Sequence, residues 1–337
     1  MRISSGLSEH FSKMSLVCSF LVVFSHADFG ETGLDQQLCY AMKWGVCSCA
    51  VPYFFLASGY FVAKHFKDPG YYGTALRSRI FTLFLPYVAW QSLFLVTHCV
   101  GFYVKPDGTW SGIDGAFLCK WFGLNPFTHP GLTPFWYIRA LLILIVLTPL
   151  IWSGVRTFGK WYFICLFPIY LFLVGVVDRT TSFGMVFYGI LSLTGFFYYG
   201  LGLRAYTRGL TLASLSRFKG LIVFLAVGLI VCGTLANYLE MRVLRDIIWI
   251  LGIPPLLYVV WKIADKISMP SWLLRCSFGV YALHLFVFQV LHRLPIPHDF
   301  FGYMVRGIAA FIGAVGLTVL LQRILPRVMH FLCGGRG

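Results

Sequence analysis

Apolar runs separated by short polar and basic breaks organise this sequence along its whole length. Segments of roughly 17–25 mainly apolar residues are long enough to cross a bilayer as α-helices. The pattern places such segments at 14–29, 46–63, 80–103, 136–152, 161–177, 183–203, 220–238, 246–261, 276–291 and 304–322. Several contain Gly or Pro, which membrane helices accept because neighbouring helices re-satisfy the backbone. The expected fold is an all-α integral membrane protein of about ten transmembrane helices. No charged or Pro/Ser-rich stretch is long enough to form a separate soluble domain, so residues 1–337 are read as a single membrane-embedded domain.

Composition agrees. The chain is 58% hydrophobic and 12% charged, with mean hydropathy +0.78, whereas soluble domains carry about 25% charged residues. A net charge of +15 would suit nucleic acid, but its distribution argues for topology instead. With the amino terminus inside, the inward segments carry 18 of the 27 Lys and Arg residues and the outward ones 7. Arg139 and Arg306 lie within span ends. That bias is the positive-inside pattern of a multi-pass protein with both termini cytoplasmic, as in an inner or plasma membrane. No nucleic-acid partner is expected.

The stretch LVVFSHADFG, residues 21–30, puts a histidine at the end of the first apolar run. Arg2, Lys13 and the small residues around His26 also fit a signal peptide cleaved after Ala27, which would discard that histidine. Its placement favours retention. At about 100° per residue, Ser15, Ser19 and His26 share one helical stripe, with Ser15 and His26 ~16 Å apart along the axis. A polar stripe inside a membrane helix faces protein or water rather than lipid. An imidazole with an unperturbed pKa near 6.5 is suited to take a proton from a hydroxyl, although a structural histidine bonded to a neighbouring helix would look the same. No G-x-S-x-G, H-E-x-x-H or C-x-x-C occurs, so neither a hydrolase serine nor a metal site is indicated. Cys39 and Cys119 fall in outward loops and could pair. A proton-coupled transporter or flippase, relaying protons through His26 and His284, is the rival reading.

Five stretches, in order, resemble the acyltransferase-3 family of ten-helix membrane O-acyltransferases. They are the stripe ending at His26, VPYFFLASGYF (51–61), RIFTLFLPYVAW (79–90), PFWYIRALLILIVLTPLI (134–151) and SFGVYALHLFVF (277–288). The resemblance implies acyl-CoA, most simply acetyl-CoA, as donor, no metal, and a sugar hydroxyl of a surface polysaccharide or lipid-linked glycan as acceptor. His26 would be catalytic. Ser15, Arg77 and Arg79 occupy the donor-binding positions, and Trp136, Arg139, Tyr281 and His284 the acceptor side. Arg139, close in depth to His26, could bind an acidic sugar or stabilise an oxyanion, or could be an interfacial arginine reaching outward. Ser58 and Gly59 suit close helix packing rather than nucleophilic attack. The chain departs from the family pattern at Ser15, where a basic residue is expected, and at Phe81 and Thr82, places often basic. Lys13 is no simple substitute, being rotated by roughly 220° from His26, so donor binding would lean on Arg77, Arg79 and the basic cluster at 204–219.

Overall fold

The computed structural model describes residues 5–28, 33–65, 71–103, 115–125, 128–176, 192–209 and 216–335. Among them the regular structure is helical throughout, with no strand. The helices are α1 (Ser5–Ser25), α2 (Gly33–Tyr40), α3 (Ala50–His65), α4 (Tyr71–Arg79), α5 (Leu85–Tyr103), α6 (Gly115–Trp121), α7 (Trp136–Val146) and α8 (Thr148–Phe158). They continue with α9 (Lys160–Val176), α10 (Leu193–Arg208), α11 (Lys219–Tyr238), α12 (Arg242–Lys266), α13 (Ser271–Leu274), α14 (Ser277–Leu291), α15 (Phe300–Ile324) and α16 (Pro326–Leu332).

Each of the ten expected segments contains helix where it is described, but fewer than ten qualify as full spans among the described residues. Among the described residues six helices are long and apolar enough to cross a membrane, or seven if one bent pair is a single span. Two physical causes account for three of the four remaining segments. In 136–152 the helix axis turns by 67° at Leu147, where Pro149, in the first turn of α8, lacks the N–H that would continue α7. The apolar parts of α9 and α14, Lys160–Leu173 and Ser277–Leu291, are shorter than a full crossing. Of 183–203, only 192–203 is described. The second span also starts earlier than the apolar pattern suggests. A π-helical turn at Ala41–Val46 and a 3-10 turn at Cys47–Cys49 splice α2 onto α3, giving one apolar element, Gly33–Ala63. Of the outward loop, 104–114 and 126–127 lie outside the described residues.

Packing fixes the relative direction of the segments. Ser19 Oγ donates to Ser277 O at 2.9 Å, and the His26 and His284 rings lie 5.2 Å apart. Both pairs advance by seven residues, so α1 and α14 run parallel. Helix α15 is antiparallel to α1, because Phe24 meets Tyr303 while Phe20 meets Phe311. Helix α3 is antiparallel too: Tyr53 reaches Ser15 and Phe61 reaches Phe11. Helices α3 and α10 lie side by side in the same direction, with Phe55 against Gly195 and, further along both, Tyr60 against Tyr206. First and ninth segments parallel, second, sixth and tenth opposed to the first, is the alternation that ten successive crossings require.

Helix α1 sits in the centre. Met14, Cys18, Val23 and Phe24 are fully buried, with α3, α12, α14 and α15 around them. Helix α11 is peripheral and presents Leu221, Phe224, Val227, Val231 and Leu235 outward, the face expected of a helix that packs against lipid. Cys39 is buried and Cys119 exposed, and both are free thiols, so the outward-loop disulfide considered above is not formed.

Candidate active site

Helix α1 ends at Ser25, and His26 occupies the turn just beyond it, its backbone N–H donating to Val23 O at 3.0 Å. Neighbouring segments tie this end down. Tyr303 donates its hydroxyl to Phe24 O at 2.8 Å. Arg306 bridges Asp28 O at 3.2 Å and Ile296 O at 2.6 Å, and the Asp28 carboxylate meets His292 Nδ1 at 3.1 Å. Gly307 allows the approach, since a Cβ there would press into the Phe24 ring at 2.6 Å. The carboxylate nearest in sequence to His26 is therefore committed to His292 and does not orient the catalytic candidate.

His284 faces His26. It is fully buried, with Nδ1 2.8 Å from Tyr281 O and 3.3 Å from Val280 O. A carbonyl only accepts, so Nδ1 carries the hydrogen and Nε2 keeps its lone pair. That Nε2 is buried without a hydrogen-bond partner among the described residues. The two rings are tilted by 44° at 5.2 Å. The half-buried His26 ring is the more open of the two, so the arrangement provides one accessible imidazole backed by one whose tautomer is fixed by the backbone.

The remaining expected residues divide into two groups. Tyr281 belongs to the histidine neighbourhood: its hydroxyl donates to Pro134 O and its ring stacks on Phe135 at 5.5 Å and 7°, pinning α14 to the turn that begins α7. Trp136 is half-buried beside Phe55. Arg139 is 7% exposed, and its Nη1 donates to Gly123 O, Thr128 O and Asn125 O at 3.1, 3.0 and 3.3 Å. That nitrogen is spent on closing the outer loop. Arg139→Gln is expected to loosen residues 121–129, because charge-assisted hydrogen bonds are worth about 1.5–3 kcal/mol each. Limited proteolysis should cut this loop faster in the variant, and an unchanged cleavage pattern would argue against the clamp.

Ser15 sits at the middle of α1 and Arg77 and Arg79 in the last turn of α4, and among the described residues no hydrogen bond joins the serine to either arginine. Ser15 Oγ donates to Phe11 O at 2.8 Å and lies 3.4 Å from the Tyr53 hydroxyl. Arg77 is exposed and Arg79 half-buried. The sequence reading passed over Tyr303, Arg306 and His292, which hold His26 in place, and His10, whose Nδ1 meets Asp265 at 3.3 Å beneath Trp261. A visible signal existed for the first two: Tyr and Arg three apart at the outer start of an apolar span. Among the described residues no three His, Cys, Asp or Glu side chains are grouped to hold a metal ion.

No solved structure matches the chain. It is 23% identical over 369 aligned positions, covering 99% of this chain and 94% of its relative, to the succinoglycan biosynthesis protein ExoH of Rhizobium meliloti strain 1021. The sequence pattern of the family described as the acyltransferase domain, type 3, matches residues 16–323, a range that holds both His26 and His284. The chain belongs to this acyltransferase-3 family and is an acyltransferase for groups other than aminoacyl groups.

Proposed function

We propose that this protein is a membrane O-acyltransferase that carries an acetyl group from cytoplasmic acyl-CoA to a hydroxyl of a surface polysaccharide or lipid-linked glycan. It would do so from the inner or plasma membrane, with ten crossings and both termini in the cytoplasm. The paired imidazoles of His26 and His284 at the end of the central helix are the observation that carries this reading. The relative's role in succinoglycan biosynthesis supports a glycan acceptor, and the alternating segment directions support the crossing pattern. Family membership leaves the transporter reading without support.

In the reaction, His26 accepts the proton of the acceptor hydroxyl as that oxygen bonds to the thioester carbonyl carbon. The C–S bond then breaks, and the imidazolium returns the proton to the departing thiolate. His284 acts as a positioning residue, holding the His26 ring in register through a face that the backbone itself fixes. His284→Ala is expected to lower kcat by about 10²-fold with little change in KM for acyl-CoA, because the donor's phosphates bind elsewhere. An equal loss in both parameters would instead mean a collapsed site. The proposal as a whole is tested by mass analysis of surface glycans from cells with and without the protein. A difference of one acetyl per repeat is expected; identical glycans would overturn it, and a different mass increment would reassign the acyl group.

A further inference from the structure

At the end of the bundle opposite the histidine pair, α13, the last turn of α15 and α16 enclose an open cavity of about 770 Å³. Its lining includes Trp272, Arg275, Gln322, Arg323, Arg327 and His330, and no carboxylate. No salt bridge engages the three arginines among the described residues. The Gln322 Nε2 amide is buried there with no hydrogen-bond partner among the described residues. The positive-inside bias explains why arginines gather at this end. It does not explain why three of them converge on one concavity with an orphaned amide donor and an indole at its lip.

We propose that this cavity binds the phosphate groups of an anionic ligand. The donor set is all cation and N–H, with guanidinium forks matched to phosphate oxygens, and Trp272, half-exposed at the rim, offers a flat apolar surface to whatever carries the phosphate. Two sources present this chemistry at a membrane surface: the nucleotide end of coenzyme A and the headgroup of an anionic phospholipid. Arg275 stands in the turn just before α14, and from Ser277 to His284 that helix rises about 10 Å, so a nucleotide seated here would point its acyl arm along α14 towards the histidines. The site stands on its own charge and shape, and holds whether or not His26 is the base.

The test uses the full-length protein in phosphatidylcholine nanodiscs, titrated calorimetrically with coenzyme A, and in nanodiscs containing phosphatidylglycerol, with retained lipid counted by native mass spectrometry. Arg323→Gln combined with Arg327→Gln is expected to weaken one of the two ligands by at least about tenfold per guanidinium. Loss of coenzyme A binding assigns the nucleotide, and loss of retained phosphatidylglycerol assigns the headgroup. Gln322→Leu leaves the charge untouched and should weaken the same ligand more modestly, which covers the case in which the double variant fails to fold. His26→Ala should bind as wild type does, separating this site from the transfer chemistry. A wild-type protein that binds neither ligand, or variants that fold and bind both unchanged, would overturn the proposal.

Discussion

Replacing His26 by Ala is expected to lower acyl transfer by about 10²–10⁴-fold while leaving the protein inserted and folded. The side chain is half-buried and makes no hydrogen bond among the described residues, so its removal orphans no buried partner. What anchors the end of α1 lies elsewhere: the Tyr303 hydroxyl on Phe24 O, and Arg306 on Asp28 O. The variant therefore deletes a proton acceptor and little else. His26→Gln keeps much of the volume and polarity but cannot take a proton, and should be equally inactive. Glycan acetylation in cells, read beside the yield of membrane-inserted protein, measures both halves of this expectation. A Gln variant with near-normal transfer would mean that the ring only positions substrate.

Gly202→Val is expected to cost the fold about 3 kcal/mol or more, beyond the usual range for overpacking. A Cβ at Gly202 would stand 2.0 Å from Leu56 O and 2.8 Å from Tyr60 N, and one at Gly59 would stand 2.1 Å from Tyr199 O. Both obstacles are backbone and cannot rotate away. Helices α3 and α10 would have to separate, breaking the contact of Tyr60 with Tyr206 and, through α10, the Tyr199–Thr148 bond of 2.7 Å. Small residues facing one another are how membrane helices gain close van der Waals contact. The measurement is thermal melting of the detergent-purified protein. A variant that melts with wild type would show that these two helices are not in contact.

Much of the architecture could be read from hydropathy, because long apolar helices declare themselves by length. The failures have local causes. Asp35, Gln37 and Lys43 dilute the apolar signal of Gly33–Cys49, so the second span looked shorter than it is. In VLTPLI the apolar run is unbroken, and only Pro149 marks the sharp turn between α7 and α8. The site was half legible. Offsets of seven and eleven placed Ser15, Ser19 and His26 on one face, and the same offset of seven separates Ser277 from His284. Comparing the two would have predicted the register of α1 against α14. The clamp that Arg139 makes on carbonyls 11 to 16 residues upstream was not legible, because hydropathy reports only the depth of that side chain. The cavity at Arg275, Arg323 and Arg327 was hidden for a similar reason: it is assembled by α16, a short helix that no apolar run announces.

The pH dependence of kcat/KM for transfer from acyl-CoA to glycan, measured on wild type and His26→Ala side by side in reconstituted vesicles, bears most directly on the chemistry. A neutral imidazole is the working form, so the wild-type rate should climb with pH through a single ionisation and then level off. The residual activity of His26→Ala should lack that climb. The same ascending limb at the same height in the variant would contradict a base at His26.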